Sequence, residues 1–240
     1  MNDANIFIPA QNRGSTELNW LKSYHSFSFG DYYNPNQMGF RTLRVINDDF
    51  IAPGGEFQTH PHRNMEIISV VLSGQIQHKD SLGNSCILRA GEVQAMTAGK
   101  GIFHSEANPS MTEALHLLQI WITPNRTGLT PGYRQQHFPI ETRKNSLLKV
   151  VSGSGDQSLE STPLAINQDA NLYLLNLEKL HRVEHPVAES RGIWIQVASG
   201  RISISGRELT TGDGLGLNNC RKLELTGVDD NSEVLVFDLA

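Results

Sequence analysis

The apolar residues of this 240-residue chain fall mostly in runs of four to eight, bounded by Gly, Asn, Asp or Ser. That is strand punctuation; an amphipathic helix repeats its apolar residues every three to four positions over a longer window. The chain therefore reads as mainly β, with strands over Thr42–Ile46, Ile67–Leu72, Leu115–Thr123, Leu147–Val151, Asn171–Leu177, Gly192–Ala198 and Glu233–Leu239. Two further segments, Arg201–Ser205 and Lys222–Thr226, alternate polar with apolar residues as half-buried strands do. Ser81-Leu82-Gly83-Asn84 reads as a turn between extended pieces. From Pro124 to Pro139, three prolines and two glycines mark an irregular crossing, which divides the chain into halves of 1–135 and 136–240.

An internal repeat supports two halves. Val70-Val71-Leu72-Ser73-Gly74-Gln75-Ile76 is matched by Gln196-Val197-Ala198-Ser199-Gly200-Arg201-Ile202, each a strand, a Ser-Gly turn and a second strand. Downstream, Ala90-Gly91-Glu92 is matched by Thr211-Gly212-Asp213. The glycines are 17 residues apart in the first half and 12 in the second. Order and approximate spacing agree, so duplicated β units are expected.

Composition removes several classes of function. With 20 Lys and Arg against 25 Asp and Glu, the net charge is −5, leaving no positive surplus to attract a phosphate backbone. Direct nucleic-acid binding is not expected. Cys86 and Cys220 are the only cysteines, with no C-x-x-C, which gives neither a disulfide framework nor a thiolate cage and fits a reducing cytoplasm. The opening Met1–Asn5 is neither basic nor apolar, and no apolar run approaches the roughly 18 residues of a membrane helix. A cytoplasmic protein without a membrane partner is the expectation. No G-x-S-x-G elbow exists, Gly212–Gly216 lacks the dinucleotide-binding spacing and reads as a turn feeding a strand, and Ser152–Asp156 reads as a solvent loop.

Four residues carry the chemistry: His60 and His62 in Thr59-His60-Pro61-His62-Arg63, and His104 and Glu106 in Phe103-His104-Ser105-Glu106-Ala107. Residues i and i+2 of an extended chain point to one face, so each pair aims two side chains into one space. If the two stretches lie close inside a barrel, three imidazoles and a carboxylate converge. That donor set suits one divalent transition metal (iron, nickel, cobalt, manganese, copper or zinc) and contains no thiolate to close the site. Pro61 favours an extended path between the histidines, while Gly99 and Gly101 permit the turns that deliver His104. Glu66, four residues after His62, also points inward on an unbroken strand, and spacing alone leaves it in contention. The remaining histidines, His25, His78, His116, His137, His181 and His185, read as structural.

The spacing Gly54-x5-His60-x-His62-x3-Glu66-x7-Gly74, followed by Gly91-x5-Thr97-x-Gly99 and His104-x3-Asn108, resembles the paired motifs of cupins. More narrowly, His60-Pro61-His62-Arg63 with Met96-Thr97-Ala98-Gly99-Lys100-Gly101-Ile102-Phe103-His104-Ser105-Glu106 is similar to the pirin family. The resemblance runs over about Asn19 to Phe138. It implies an all-β chain of two cupin-type barrels, a bicupin, and metal ligands at His60, His62, His104 and Glu106, favouring Glu106 over Glu66. The second half departs from the pattern: His185-Pro186-Val187 lacks the second histidine and nothing like H-x-E follows Gly212, so a metal-free C-terminal barrel is expected.

Bacterial pirins of this kind include quercetin 2,3-dioxygenases. The resemblance thus implies a metal-dependent dioxygenase that opens a flavonol ring with O2 and releases carbon monoxide, with Glu106 also serving as the base that takes the substrate's hydroxyl proton. The alternative it allows is a metal-loaded, redox-sensitive module that binds a protein partner without turnover.

Overall fold

In the computed structural model, which describes residues 5–153 and 163–240, helix among the described residues is confined to two single turns, Ala10–Asn12 and Ile140–Arg143. Of the expected loop Ser152–Asp156, the part from Ser154 lies outside the described residues, as does most of the opening segment. The strands of the first half are β1 (Ile6–Ile8), β2 (Gly14–Glu17), β3 (Leu21–His25), β4 (Leu43–Ile51), β5 (Glu56–His62), β6 (Glu66–Ser73), β7 (Gln75–Asp80), β8 (Ser85–Arg89), β9 (Glu92–Thr97), β10 (Ile102–Ala107), β11 (Leu115–Ile122) and β12 (Gly132–His137). Those of the second are β13 (Leu148–Ser152), β14 (Leu164–Ala165), β15 (Ala170–Leu177), β16 (Arg182–Pro186), β17 (Gly192–Ser199), β18 (Arg201–Ile204), β19 (Arg207–Thr210), β20 (Gly214–Leu217), β21 (Lys222–Gly227) and β22 (Ser232–Leu239).

The chain forms two compact units. One comprises Gly14–Phe138 with the described part of 153–168; the other comprises the described part of 1–13 with Pro139–Ser152 and Asp169–Ala240. Residues 5–13 join the second unit because β1 pairs antiparallel with β20, Ile6 opposite Gly216, and because the Ala10 amide donates to Asp213 Oδ1 at 2.7 Å.

The first unit sets a sheet ordered β12-β9-β6-β11-β4-β3-β2 against one ordered β5-β10-β7-β8. The other two sheets repeat that order, β1-β20-β17-β22-β15-β13-β14 and β16-β21-β18-β19. This is the bicupin architecture, two antiparallel double-sheet barrels on one plan. The repeat seen in the sequence falls on equivalent turns: Gly74 between β6 and β7 has φ +75°, and Gly200 between β17 and β18 has φ +79°. At both turns a Cβ would come within 2.6 Å of a neighbour, the Ala114 carbonyl in one and Ser232 Oγ in the other, so glycine is required twice over.

All seven apolar runs are strands, with instructive differences. The stretch read as an irregular crossing contains β12, whose residues Gly132–His137 pair with β9; a strand of mostly polar, half-buried residues at a sheet edge leaves no apolar run to detect. Asn47-Asp48-Asp49 reads as a strand end, yet β4 continues through it to Ile51. Each of these side chains has a partner on a neighbouring strand, though one Asp49 oxygen stays unpaired: His25 donates to Asn47 Oδ1 at 2.8 Å, His116 donates to Asp48 Oδ1 at 2.6 Å, and the Ser23 hydroxyl bonds Asp49.

The two interiors differ. The second barrel encloses a wholly apolar cluster that includes Leu175, Val183, Ile195, Ile202, Leu223, Leu225 and Val236. On the first, Asp49, Ser69, Gln94, His104, Glu106 and Gln119 are buried.

Candidate metal centre and its cavity

Strand β10 lies between β5 and β7, and its register places His104 opposite His60 on one side and Asp80 on the other. Ile102, His104 and Glu106 alternate inward, while Phe103 between them is 56% exposed, as the i, i+2 argument requires. A bulge between His104 and Glu106 sets Glu106 opposite Phe57 of β5 and His78 of β7. His104 reaches this position through the Gly99 turn. Gly99 has φ +48°, and a Cβ there would stand 2.1 Å from the Leu129 carbonyl oxygen.

The rings of His60, His62 and His104 form a triangle with centroid separations of 4.4 to 4.8 Å. One nitrogen from each lies within 4.8 Å of the others. Hydrogen bonding fixes which nitrogens are free. His60 Nδ1 donates to the Gln58 carbonyl at 2.7 Å, which leaves Nε2 as a lone pair. His78 Nε2 donates to Asp80 Oδ2 at 3.1 Å, and His78 Nδ1 lies 3.5 Å from His104 Nδ1; with His78 neutral its Nδ1 accepts there, which leaves His104 Nε2 as a lone pair. The buried Nε2 atoms of His62 and His104 have no partner of any kind. Two orphaned imidazole nitrogens in one cluster are what a cation would satisfy, and a divalent transition metal fits the donor set. Burial, reinforced by neighbouring imidazoles, lowers the His62 pKa to about 4 and moves that of His104 further in the same direction, so both rings are neutral donors at pH 7.

Glu106 is 1% exposed and lies within 4.8 Å of His104 and His78 donor atoms. Gln119 Nε2 donates to one of its oxygens at 2.7 Å and Gln94 Nε2 to the other at 3.4 Å, while burial raises its pKa. Glu66 belongs to neither donor group found among the described residues. Thr97 Oγ1 and Asn167 Nδ2 donate to its two oxygens at 2.8 and 3.3 Å. The sequence did not single out His78, Asp80, Gln94 or Gln119. His78 read as structural because its relation to the candidate ligands is set by cross-strand register, which one sequence does not carry.

His60 and His62 line a cavity of about 590 Å³, within the range of small-molecule sites. Its walls include Trp20, Phe29, Phe57 and Trp121, and Trp121 stands edge-on to His62 with centroids 4.9 Å apart. Asp49 and Glu106 also line it. The site thus combines imidazole and carboxylate donors with a chamber whose apolar wall is mainly aromatic.

Comparison with known proteins agrees. The family model described as Pirin matches residues 8–122, and that described as Quercetinase C-terminal cupin domain matches residues 149–239. The chain belongs to the pirin family. It is 46% identical over 230 residues to the quercetin 2,3-dioxygenase of Escherichia coli K12, covering 96% of each chain. The crystal structure of the bacterial pirin YhhW of Escherichia coli in complex with nickel(II) superposes with a TM-score of 0.91 at 44% identity, covering 98% of this chain and 99% of that one. A quercetin 2,3-dioxygenase from Acinetobacter baumannii, 20% identical with a TM-score of 0.76 over 98% of this chain and 78% of its own, shares the fold. Among the described residues no helix is long and apolar enough to cross a membrane.

Proposed function

We propose that this protein is a metal-dependent dioxygenase that opens a flavonol such as quercetin with O2 and releases carbon monoxide. The observation that carries this reading is the pair of partnerless imidazole nitrogens of His62 and His104, with His62 on the wall of a cavity that four aromatic side chains also line. His60, His62, His104 and Glu106 would hold one divalent transition metal, in the barrel of the first half alone; the equivalent strands β16 and β21 bury Val183, Leu223 and Leu225. When bound, the metal supplies a Lewis-acidic centre with open positions for an anionic substrate oxygen. Trp20, Phe29, Phe57 and Trp121 receive the flat rings and exclude water, which strengthens the electrostatics of the site. Gln94 and Gln119 keep Glu106 oriented. The flavonol's hydroxyl proton leaves to a carboxylate of the cavity, and Glu106 is the carboxylate at the metal.

Incubation of metal-loaded protein with quercetin, in air and under nitrogen, tests this. Oxygen-dependent loss of the flavonol absorption with trapped carbon monoxide, abolished in His62→Ala, is expected. A metal-replete wild type that leaves quercetin unchanged in air would overturn the reading.

A further inference from the structure

We propose that Asp49, a residue outside the metal-ligand set, is the cavity's proton acceptor: its free Oδ1 takes the proton of the substrate hydroxyl while Glu106 stays a ligand. This rests on the reading that the cavity receives a hydroxylated aromatic. Asp49 sits on the inward face of β4 and is 2% exposed, yet it lines the same chamber as His60, His62 and Glu106. Its Oδ1 has no hydrogen-bond partner. A buried carboxylate oxygen left unpaired carries a desolvation cost that a substrate hydroxyl would relieve.

Glu106 is less suited to the task. Both of its oxygens already accept from amides, and a carboxylate that ligates a cation must let go before it holds a proton. Glu56, also on the wall, is exposed and ordinary in setting. The transfer itself is simple: the substrate O–H bond breaks, its electron pair stays on the substrate oxygen, and the proton forms the Asp49 Oδ1–H bond. No electron changes hands.

The basicity of Asp49 matches the task. Burial is the main cause that lifts its pKa to about 7; Glu106 and Asp48 add to the rise, and the Ser23 hydrogen bond opposes it. The groups around it are few. From β3 come Ser23 and His25, the latter bonded to Asn47; from β11, Leu117 opposite it and Gln119; from β10, Glu106; and from β5, Glu56, His60 and His62 across the cavity. Asp48, on its own strand, is paired with His116.

The test uses full-length, nickel-loaded protein with quercetin, under nitrogen for binding and in air for turnover. The ionised fraction of bound flavonol is read by absorption against pH. Wild type should ionise the flavonol at least one pH unit below its value in solution. Asp49→Asn should lose most of that shift and at least tenfold in kcat, with nickel content unchanged and KM within about threefold. Ser23→Ala, which removes the bond opposing the rise, should move the acid limb of kcat/KM upward. Nickel-replete Asp49→Asn with the wild-type ionisation curve and rate would overturn the assignment and leave the dioxygenase reading standing. Wild type that neither binds nor consumes quercetin would overturn both. If Asp49→Asn does not fold, Ser23→Ala decides: an unmoved acid limb counts against Asp49.

Discussion

Replacing Asp49 by Asn should make the metal-free protein more stable at alkaline pH and leave it nearly unchanged in acid. In the folded chain the carboxyl keeps its proton up to about pH 7, against 3.8 for the ordinary group, chiefly because burial disfavours the anion. Between those values the native state binds a proton that the unfolded chain has released, so the contribution is fully present below pH 3.8 and is lost as pH rises through 7. At about 1.4 kcal/mol per pH unit, the loss reaches roughly 4 kcal/mol as an upper figure, and local relaxation will reduce it. Asn fills the same space and cannot ionise. Urea unfolding of both proteins, stripped of metal and followed at pH 4, 6 and 8 through the tryptophans of the first barrel, measures the difference. Other titrating groups cancel between the two. A gain of about 1–4 kcal/mol at pH 8, shrinking toward zero at pH 4, is expected. A difference that stays flat with pH would show that Asp49 ionises as a solvated carboxyl does, and the burial argument would fail.

His78→Phe removes the acceptor for His104 Nδ1 and should weaken nickel binding about 10–100-fold in a chelator competition, since partners of ligating histidines typically carry that much. Wild-type strength would mean that His104 is oriented without it. Nickel at a hundred times its Kd should stabilise the wild type by about 2.7 kcal/mol, raising Tm, and His62→Ala should lose most of that rise. An equal rise in the variant would remove His62 from the ligand set. Gly99→Ala places a methyl 2.1 Å from the Leu129 carbonyl at φ +48°, and should cost about 1–3 kcal/mol or more and reduce nickel content together. Retention of wild-type Tm and metal would refute the turn's role in delivering His104.

What the sequence disclosed about the site was the part encoded locally. His60 with His62, and His104 with Glu106, each stand two residues apart on one strand, and period-two geometry suffices to aim each pair. That the pairs meet follows from β5 lying beside β10, a neighbour relation that only the fold establishes. His78 and Asp80 join through β7, Gln94 through β9 and Gln119 through β11, so no spacing in the chain ties them to the ligands. Asp49 was concealed more thoroughly. Asn47-Asp48-Asp49 is strongly turn-like in composition, and the strand persists through it with side-chain partners on neighbouring strands, all but one Asp49 oxygen being paired.

The two barrels turn that concealment into a usable signal. They share strand order and the glycine turns that follow β6 and β17, so the frame does not require polar residues at the strand positions of the candidate ligands. In the second barrel, β21 buries Leu223 and Leu225 where β10 of the first buries His104 and Glu106. Apolar filling at those two positions is therefore compatible with the frame. Carboxylates, amides and imidazoles at the corresponding depth of the first barrel oppose burial and stabilise nothing that aliphatic side chains would not stabilise better. Their presence, and the unpaired atoms gathered at His62, His104 and Asp49, are accounted for if something enters to pair with them. A cation answers the imidazoles but not Asp49 Oδ1, and an acceptor with no donor calls for a hydroxyl. The same interior thus asks for two kinds of guest, a metal at one wall and a protic aromatic across from it, which is the pairing that a flavonol dioxygenase brings together.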